Sequence, residues 1–298
     1  MTVLMTGATG FIGTHLRKML LQEGHDVVVI TRSPAAYESI SARNQTFVSW
    51  EEDLPGWMGR ADVVIHLAGE NLFGQRWSES VKESIYKSRI GLTSRVVEAM
   101  KQSDPRPSLF ISASAVGYYG DGGDRILDES EDRGEGFLAT VCRDWELTAL
   151  KAADLGIRVA TPRLGLALET GGGVLANMLP FFRWYAGGPI GSGAQYLPWI
   201  HMEDLCRGLL FPIQEPDLEG AYNLCSPEPA TMDQFASALG TVLNRPSLFR
   251  VPAPLVRLVL GEASQAVLGS LRTRPAKLRS YGFEFYYEDL EESLASIL

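Results

Sequence analysis

Residues 3–30 carry the pattern that most restricts what this chain can become. The apolar stretch Val3-Leu4-Met5-Thr6 runs directly into Gly7-Ala8-Thr9-Gly10-Phe11-Ile12-Gly13, and a second apolar run, Val27-Val28-Val29-Ile30, follows. Between them Ile12, Leu16, Met19 and Leu20 recur at helical spacing and Gly24 closes the segment. Strand, glycine loop, helix and strand within about thirty residues make one βαβ unit, the context that gives a glycine pattern meaning. Gly7 permits a tight turn, Gly10 lets the backbone approach a pyrophosphate, and Gly13 lets the helix lie close to the strand. The helix start then offers unpaired N–H groups and the positive end of its dipole to phosphates. Thr9, Phe11 and Ile12 lie in the same turn and join the three glycines as cofactor-binding candidates.

The choice of dinucleotide turns on the end of the second strand. An acid there would bond the ribose 2′-OH and favour NAD. The chain has Thr31-Arg32-Ser33 instead, a guanidinium between two hydroxyls that suits a 2′-phosphate. NADP(H) is therefore expected over NAD, with Thr31 and Arg32 as contacts; the competing reading is that Arg32 merely solvates the strand end.

Further along, residues 61–69 read as a strand ending in the small residues of Leu67-Ala68-Gly69, where a cofactor can lie across the backbone. Residues 81–100 read as one helix, 108–112 as a strand, 138–153 as a helix and 159–164 as a strand. This alternation predicts an α/β doubly wound parallel sheet of Rossmann type with right-handed crossovers. Charge and cysteines exclude several function classes. With 36 acidic against 27 basic residues and a net charge of −9, the chain is a poor nucleic-acid binder. It has no apolar run of about 18–20 residues that would span a membrane. Cys142, Cys206 and Cys225 form no CxxC pair and no metal-ligand spacing with the four histidines, so neither a disulfide framework nor a metal site is expected. The start has no basic-then-apolar secretory pattern, and the expected location is cytoplasmic.

The glycine fingerprint, His66-Leu67-Ala68-Gly69 and the run Ser112-Ala113-Ser114-Ala115-Val116-Gly117-Tyr118-Tyr119-Gly120 together resemble the short-chain dehydrogenase/reductase superfamily. The resemblance is to its extended, nucleotide-sugar-epimerase-like branch. Residues 187–205 are similar to the segment of that branch that returns from the substrate lobe, and 221–224 to its last strand. Glu70-Asn71, Arg76-Trp77, Lys87-Ser88-Arg89, the glycine-rich run 187–193 and Gly282-Phe283 are similar, more narrowly, to the atypical epimerase family proteins of the YfcH and SDR39U1 type, over essentially the whole chain. The resemblance implies an NADP-binding Rossmann domain at 1–165, rejoined by about 196–226. A smaller substrate lobe and C-terminal appendage are implied at 166–195 and 227–298. It also implies cofactor contacts at Leu67, Ala68, Gly69, Arg89 and Arg163.

The superfamily's chemistry needs a Tyr as general acid–base, a Lys four residues later that lowers its pKa, and a Ser on a preceding strand. Ser114 matches the Ser. Aligning Glu146 with the acid that usually follows the Tyr by eight residues puts Leu138 at the Tyr position and Cys142 at the Lys position. No Tyr occurs between residues 120 and 184, so no shift of frame restores the pair. Leu138, Cys142, Trp145, Ala149 and Ala152 fall on one apolar stripe that favours packing. Three substitutes stand open: Tyr118 or Tyr119 as the acid or as an aromatic lid; Cys142 as a reactive thiol or as a core residue; Arg89 as an anion contact or as a surface ion pair. His201 is expected to fix a turn with Asp204. On the substrate side, Arg183 and Gln195 are the polar candidates, within glycine loops that either wrap a ligand or flank a helix covering the sheet edge.

The expected activity is an atypical NADP-dependent oxidoreductase or epimerase acting on an unidentified small polar molecule. The alternative is a non-catalytic NADP-binding regulator or redox sensor with a protein partner, linked to cell division as relatives of the group suggest.

Overall fold

The computed structural model describes residues 1–40, 43–72 and 76–298. The parallel sheet contains β1 (Thr2–Thr6), β2 (Asp26–Thr31), β3 (Gln45–Ser49), β4 (Val63–His66), β5 (Leu109–Ser112), β6 (Arg158–Leu164) and β7 (Gly220–Leu224). They lie in the order β3-β2-β1-β4-β5-β6-β7, with Ser114–Ala115 adding a short rung beside β6. The order reverses between β1 and β4, which opens a crevice at the carboxyl ends of these two strands. β3 has no counterpart among the strands expected from sequence. Its segment, Gln45-Thr46-Phe47-Val48-Ser49, is half polar because it is the sheet edge and pairs only with β2.

The helices that matter for the site are α1 (Phe11–Gln22), α2 (Leu54–Met58), α3 (Glu79–Tyr86), α4 (Leu92–Gln102), α5 (Phe137–Leu150), α6 (Gly173–Arg183), α7 (Met202–Gln214) and α8 (Met232–Leu243). They cover both faces of the sheet, and the strands are accordingly apolar at successive positions. Val3, Met5, Val27 and Val29 pack toward Leu16 and Leu20 of α1 and Leu205 and Leu209 of α7. Leu4, Val28 and Phe110 alternate to the other face, against Val96 and Met100 of α4 and Ala149 of α5.

The single helix expected over residues 81–100 is divided. A π-helical turn, Lys87–Gly91, separates α3 from α4 and carries Arg89. Apolar periodicity registers a 3.6-residue repeat and passes over one local widening, so the division is not visible in the pattern.

Beyond the sheet, Leu175, Leu179 and Phe182 of α6 share a cluster with Trp199, with Phe235 and Leu239 of α8, and with Leu294 on the helix Leu290–Ile297. The last fifty or so residues do not form a body of their own. Leu278 and Phe283 join the sheet cluster, and the Asp204 carboxylate accepts from the backbone N–H groups of Tyr286 and Tyr287. The helix Ala253–Leu260 reaches back to Arg76. No helix among the described residues is long and apolar enough to cross a membrane.

Candidate functional site

At the crevice, the glycine loop is sterically committed. Gly7 has φ +71°, and a Cβ there would stand 2.6 Å from the Leu67 carbonyl carbon; a Cβ on Gly13 would stand 2.2 Å from the Gly7 oxygen. Neither position tolerates a side chain without moving backbone. Gly10 is the N-cap of α1 and brings no capping side chain, so the first-turn N–H groups are left to a ligand. The Phe11 ring packs under Gly172 and Gly173, while Ile12 leans on the sheet cluster. These two residues therefore face a nucleotide through their backbone, and the loop fits a pyrophosphate. At the β2 end Thr31 is buried, and Arg32 is exposed with no hydrogen bond or ion pair among the described residues.

His66 braces the neighbouring strand end. Its Nδ1 lies 2.6 Å from Thr6 Oγ1 and its Nε2 3.0 Å from Thr93 Oγ1. The Thr93 hydroxyl donates to the Arg89 carbonyl at 2.7 Å, so it accepts from Nε2–H, and the Thr6 hydroxyl donates to Nδ1. Complete burial lowers the His66 pKa to about 3, and the ring is neutral. One imidazole thus ties β1, β4 and α4 to the π turn. From that turn Arg89 extends over Gly69, its Cζ 3.2 Å from where a Cβ would be. It donates to the carbonyls of Glu70 at 3.0 Å and Ile85 at 3.3 Å, with Trp145 beneath it at 5.3 Å. The surface-ion-pair reading of Arg89 is not met: it is partly buried, and although the Glu70 carboxylate acts on its charge, no carboxylate comes within ion-pair distance among the described residues. Burial pulls its pKa down. A cation left this way beside the strand end attracts an anion.

On the adjoining side the candidates are consumed by one another. Arg163 grips Glu146 with two parallel bonds, Nε to Oε1 at 2.8 Å and Nη2 to Oε2 at 2.9 Å. Its Nη1 donates to the Tyr119 hydroxyl at 2.9 Å, and that hydroxyl donates to Asn223 Oδ1 at 2.8 Å. Ser114 Oγ donates to Glu146 Oε1 at 2.7 Å. Burial opposes the charge on Arg163, yet the bonds and charge of Glu146 and the contact with Tyr119 hold its pKa above the ordinary value. The expected cofactor role of Arg163 gives way to this buried pair, since its fork is already matched. Tyr119, at 1% exposure, is corrected from candidate acid to network member, because burial raises its phenol above the usual range. Tyr118 lies under the Arg163 guanidinium, 3.5 Å from ring centroid to Cζ, and serves as its platform. The reactive-thiol reading of Cys142 also falls: burial first, then Glu146, pushes that thiol up to about 12. Asn223 and the partnership of Glu146 with Arg163 were not foreseen from sequence. Their only signal was a pair of polar residues inside otherwise apolar segments.

A cavity of about 300 Å³ opens beside this network. Gly117, Leu138 and Ala139 line it from the body of the molecule, and Leu138, aligned in sequence with the phenol position, contributes an isobutyl group. Trp77, Glu135 and Arg257 line it as well. Arg183 and Gln195 are elsewhere. Arg183 ends α6 in solvent. Gln195 is buried inside the glycine loop, accepting from Ser192 Oγ and Gly193 N and donating to the Ile190 carbonyl, so its amide staples the loop and is not available as a substrate contact. His201 caps α7 by accepting from Glu203 N at 3.1 Å, in place of the expected bond with Asp204, and stacks on Tyr287. Among the described residues no three His, Cys, Asp or Glu side chains gather as metal ligands.

Residues 3–225 match the NAD dependent epimerase/dehydratase family, and residues 251–297 match a domain of unknown function, DUF1731. The chain is 39% identical over 303 residues to the epimerase family protein SDR39U1 homolog, chloroplastic, of Arabidopsis thaliana, covering 100% of this chain and 87% of that one. It is 35% identical to the epimerase family protein YfhF of Bacillus subtilis (strain 168), covering 100% and 98%. Its fold is similar to a crystal structure of human epimerase family protein SDR39U1 (isoform 2) with NADPH, at a TM-score of 0.90 and 29% identity, covering 100% of this chain and 99% of that one.

Proposed function

Because the chain belongs to the NAD dependent epimerase/dehydratase family, we propose that it binds NADPH at residues 7–13 and at the β2 end, and exchanges hydride with a small polar substrate in the cavity beside Leu138. The observation that carries this reading is Arg89, a partly buried cation with no carboxylate in ion-pair contact among the described residues, at the strand end between the glycine loop and the α5 wall. NADPH in the similar human structure and the unpartnered Arg32 support the phosphorylated nucleotide. When bound, the nicotinamide supplies a hydride donor or acceptor. The chain's own residues orient it through the glycine backbone and Arg89 and keep the α5 side dry with Leu138. No phenol, ammonium or thiol of α5 titrates in the cavity, so in this reading protons reach the substrate from water and turnover is slow. Cytoplasmic residence is consistent with three cysteines that are buried and unbridged.

Nucleotide fluorescence titration tests the cofactor assignment: wild type should bind NADPH more tightly than NADH, and Arg32→Ala should narrow the gap by about tenfold, the worth of a charge-assisted bond to phosphate. Equal or tighter binding of NADH would overturn it. One observation favours a second reading, a regulator that holds NADPH unreacted: the Tyr119 and Cys142 side chains, the chemically capable groups near α5, are raised out of their working range by burial. Single-turnover mixing of the NADPH-loaded chain with carbonyl substrates separates the two, since a regulator leaves nicotinamide absorbance unchanged throughout.

A further inference from the structure

We propose that the C-terminal segment completes the substrate cavity, and that Arg257 binds there the carboxylate of a small hydroxy- or oxo-acid. This rests on the cavity being the substrate site, as read above. Its walls come from two distant stretches of chain. Gly117 and Leu138 stand on the sheet side, while Arg257, Gln265, Leu268 and Leu271 stand on the other.

Charge selects the ligand. Arg257 is the one cationic side chain of the lining and, among the described residues, has no hydrogen bond or ion pair. A guanidinium presents a planar fork that matches a carboxylate. The two acids of the lining are not equivalent. Asp121 is occupied, accepting from the backbone N–H groups of Gly123 and Ser270. Glu135 is exposed and has no side-chain partner among the described residues, so it asks for a hydrogen-bond donor such as a hydroxyl. Trp77, Leu138, Leu268 and Leu271 provide apolar surface between these poles. A volume of about 300 Å³ is at the low end for ligand cavities, which limits the occupant to a small molecule. An anionic end, a donor and a short apolar body describe a hydroxy-acid, and hydride removal from its carbinol carbon gives the corresponding oxo-acid, with the hydride passing to NADP⁺ and the hydroxyl proton to water.

The arginine is held in place by the stretch that leads to the cofactor. Arg76 donates to the Leu258 carbonyl at 2.6 Å, and Lys82 pairs with Glu262 at 2.6 Å and with Glu79 at 3.1 Å. Trp77, Ile85 and Ala263 pack together beneath. Residues 76–86 therefore fasten the helix Ala253–Leu260 and the turn after it at one end and continue into the π turn bearing Arg89 at the other. This accounts for the Arg76-Trp77 pair that stood out in the sequence.

The test uses the full chain loaded with NADP⁺ or NADPH and a panel of short hydroxy- and oxo-carboxylates with their methyl esters and amides. Binding is read by saturation-transfer NMR and by quenching of Trp77, with Trp77→Phe as control. Acids should bind and their esters and amides should bind about tenfold or more weakly; Arg257→Ala should lower acid affinity by about 10- to 100-fold, the range for bonds to a charged group, with Arg257→Lys intermediate. Nucleotide affinity should be the same in all three. Arg257 is exposed, so its replacement leaves the fold intact. The proposal is overturned if no acid of the panel binds, if esters bind as well as acids, or if Arg257→Ala binds acids as wild type does. Failure of the wild type to bind nucleotide would instead overturn the parent reading, so the two failures are distinguishable.

Discussion

Arg163 and Arg89 approach adjacent residues of α5, Glu146 and Trp145, and meet opposite fates. Arg163 finds a carboxylate in bidentate geometry, a phenol hydroxyl and an aromatic platform, and its charge is spent inside the protein. Arg89 finds two neutral carbonyls, the Ser88 hydroxyl and an indole face, with the Glu70 carboxylate acting on it outside ion-pair contact. The difference separates a cation that holds the fold together from one with no ion-pair partner, the one the proposed function gives to the nucleotide. A buried pair is costly to break because either partner alone is left uncompensated, whereas a cation without a counter-ion has nothing comparable to lose.

The largest effects should therefore fall on the paired cation. Glu146→Ala and Arg163→Ala should each cost about 3–5 kcal/mol in urea unfolding, the usual penalty for stranding a buried charge. Arg89→Ala should change stability of the nucleotide-free chain by less, about 1–2 kcal/mol, because burial of the guanidinium offsets much of what its charge-assisted bonds to carbonyls contribute. Equal losses for Arg89 and Arg163 would abolish the distinction.

Nucleotide affinity should reverse the ranking. Arg89→Ala should weaken NADPH binding by about 10- to 100-fold, as expected when a bond to a phosphate is removed. Stabilised carriers of the Arg163 change, compared above their unfolding threshold, should bind NADPH nearly as wild type does. Calorimetric titration at fixed salt reads both. Undiminished binding by Arg89→Ala would show that Arg89 is not directed at the nucleotide.

These two arginines also mark where the sequence stops being informative. The glycine turn was legible because its demands are local: Gly7 and Gly13 are dictated by backbone atoms within a few residues or one strand away. So was the absence of a phenol from α5, since no Tyr occurs in its sequence. The pairing of Glu146 with Arg163 was not, because a helix residue and a strand residue meet only after β6 has docked beside β5. The tyrosine question stayed open for the same reason. Tyr118 and Tyr119 are neighbours in sequence, but one lies flat under Arg163 and the other hydrogen-bonds to Asn223 on β7. Gln195 shows the converse error: a polar side chain among glycines resembled a ligand contact and proved to be the staple that the glycine loop requires.

The brace beneath Arg89 predicts a pH dependence. His66 is held neutral with its pKa lowered to about 3, while in the unfolded chain it titrates near 6.5. Below that unfolded value the denatured state takes up a proton that the folded state refuses. Stability attributable to His66 is thus fully present above about pH 6.5 and falls as the pH drops from there toward 3, at about 1.4 kcal/mol per unit. Urea midpoints for wild type and His66→Gln between these limits check the slope, which should be shallower in the variant. Because the folded imidazole stays neutral down to about pH 3, the brace under the π turn should stay intact across this interval and the folded chain should keep its NADPH affinity.

The smallest effect lies between the two arginines, at Cys142, whose thiol is raised by burial and by Glu146 and lowered by Arg89 and Arg163. In the native chain it should resist alkylation, as should Cys206 and Cys225, which burial also pushes up to about 12. Glu146→Gln removes one of the two influences that raise the Cys142 thiol and retains hydrogen bonding to Arg163, so labelling of Cys142 should quicken by a few-fold while the other two thiols stay unchanged. Adding Arg89→Ala should slow it again, because the unpaired cation is one of the charges that stabilise the thiolate. Mass spectrometry of timed alkylation resolves the three sites. A Cys142 rate that follows Arg163 but ignores Arg89 would mean that Arg89's charge is already neutralised in solution, and with it would go the contrast that assigns Arg89 to the nucleotide.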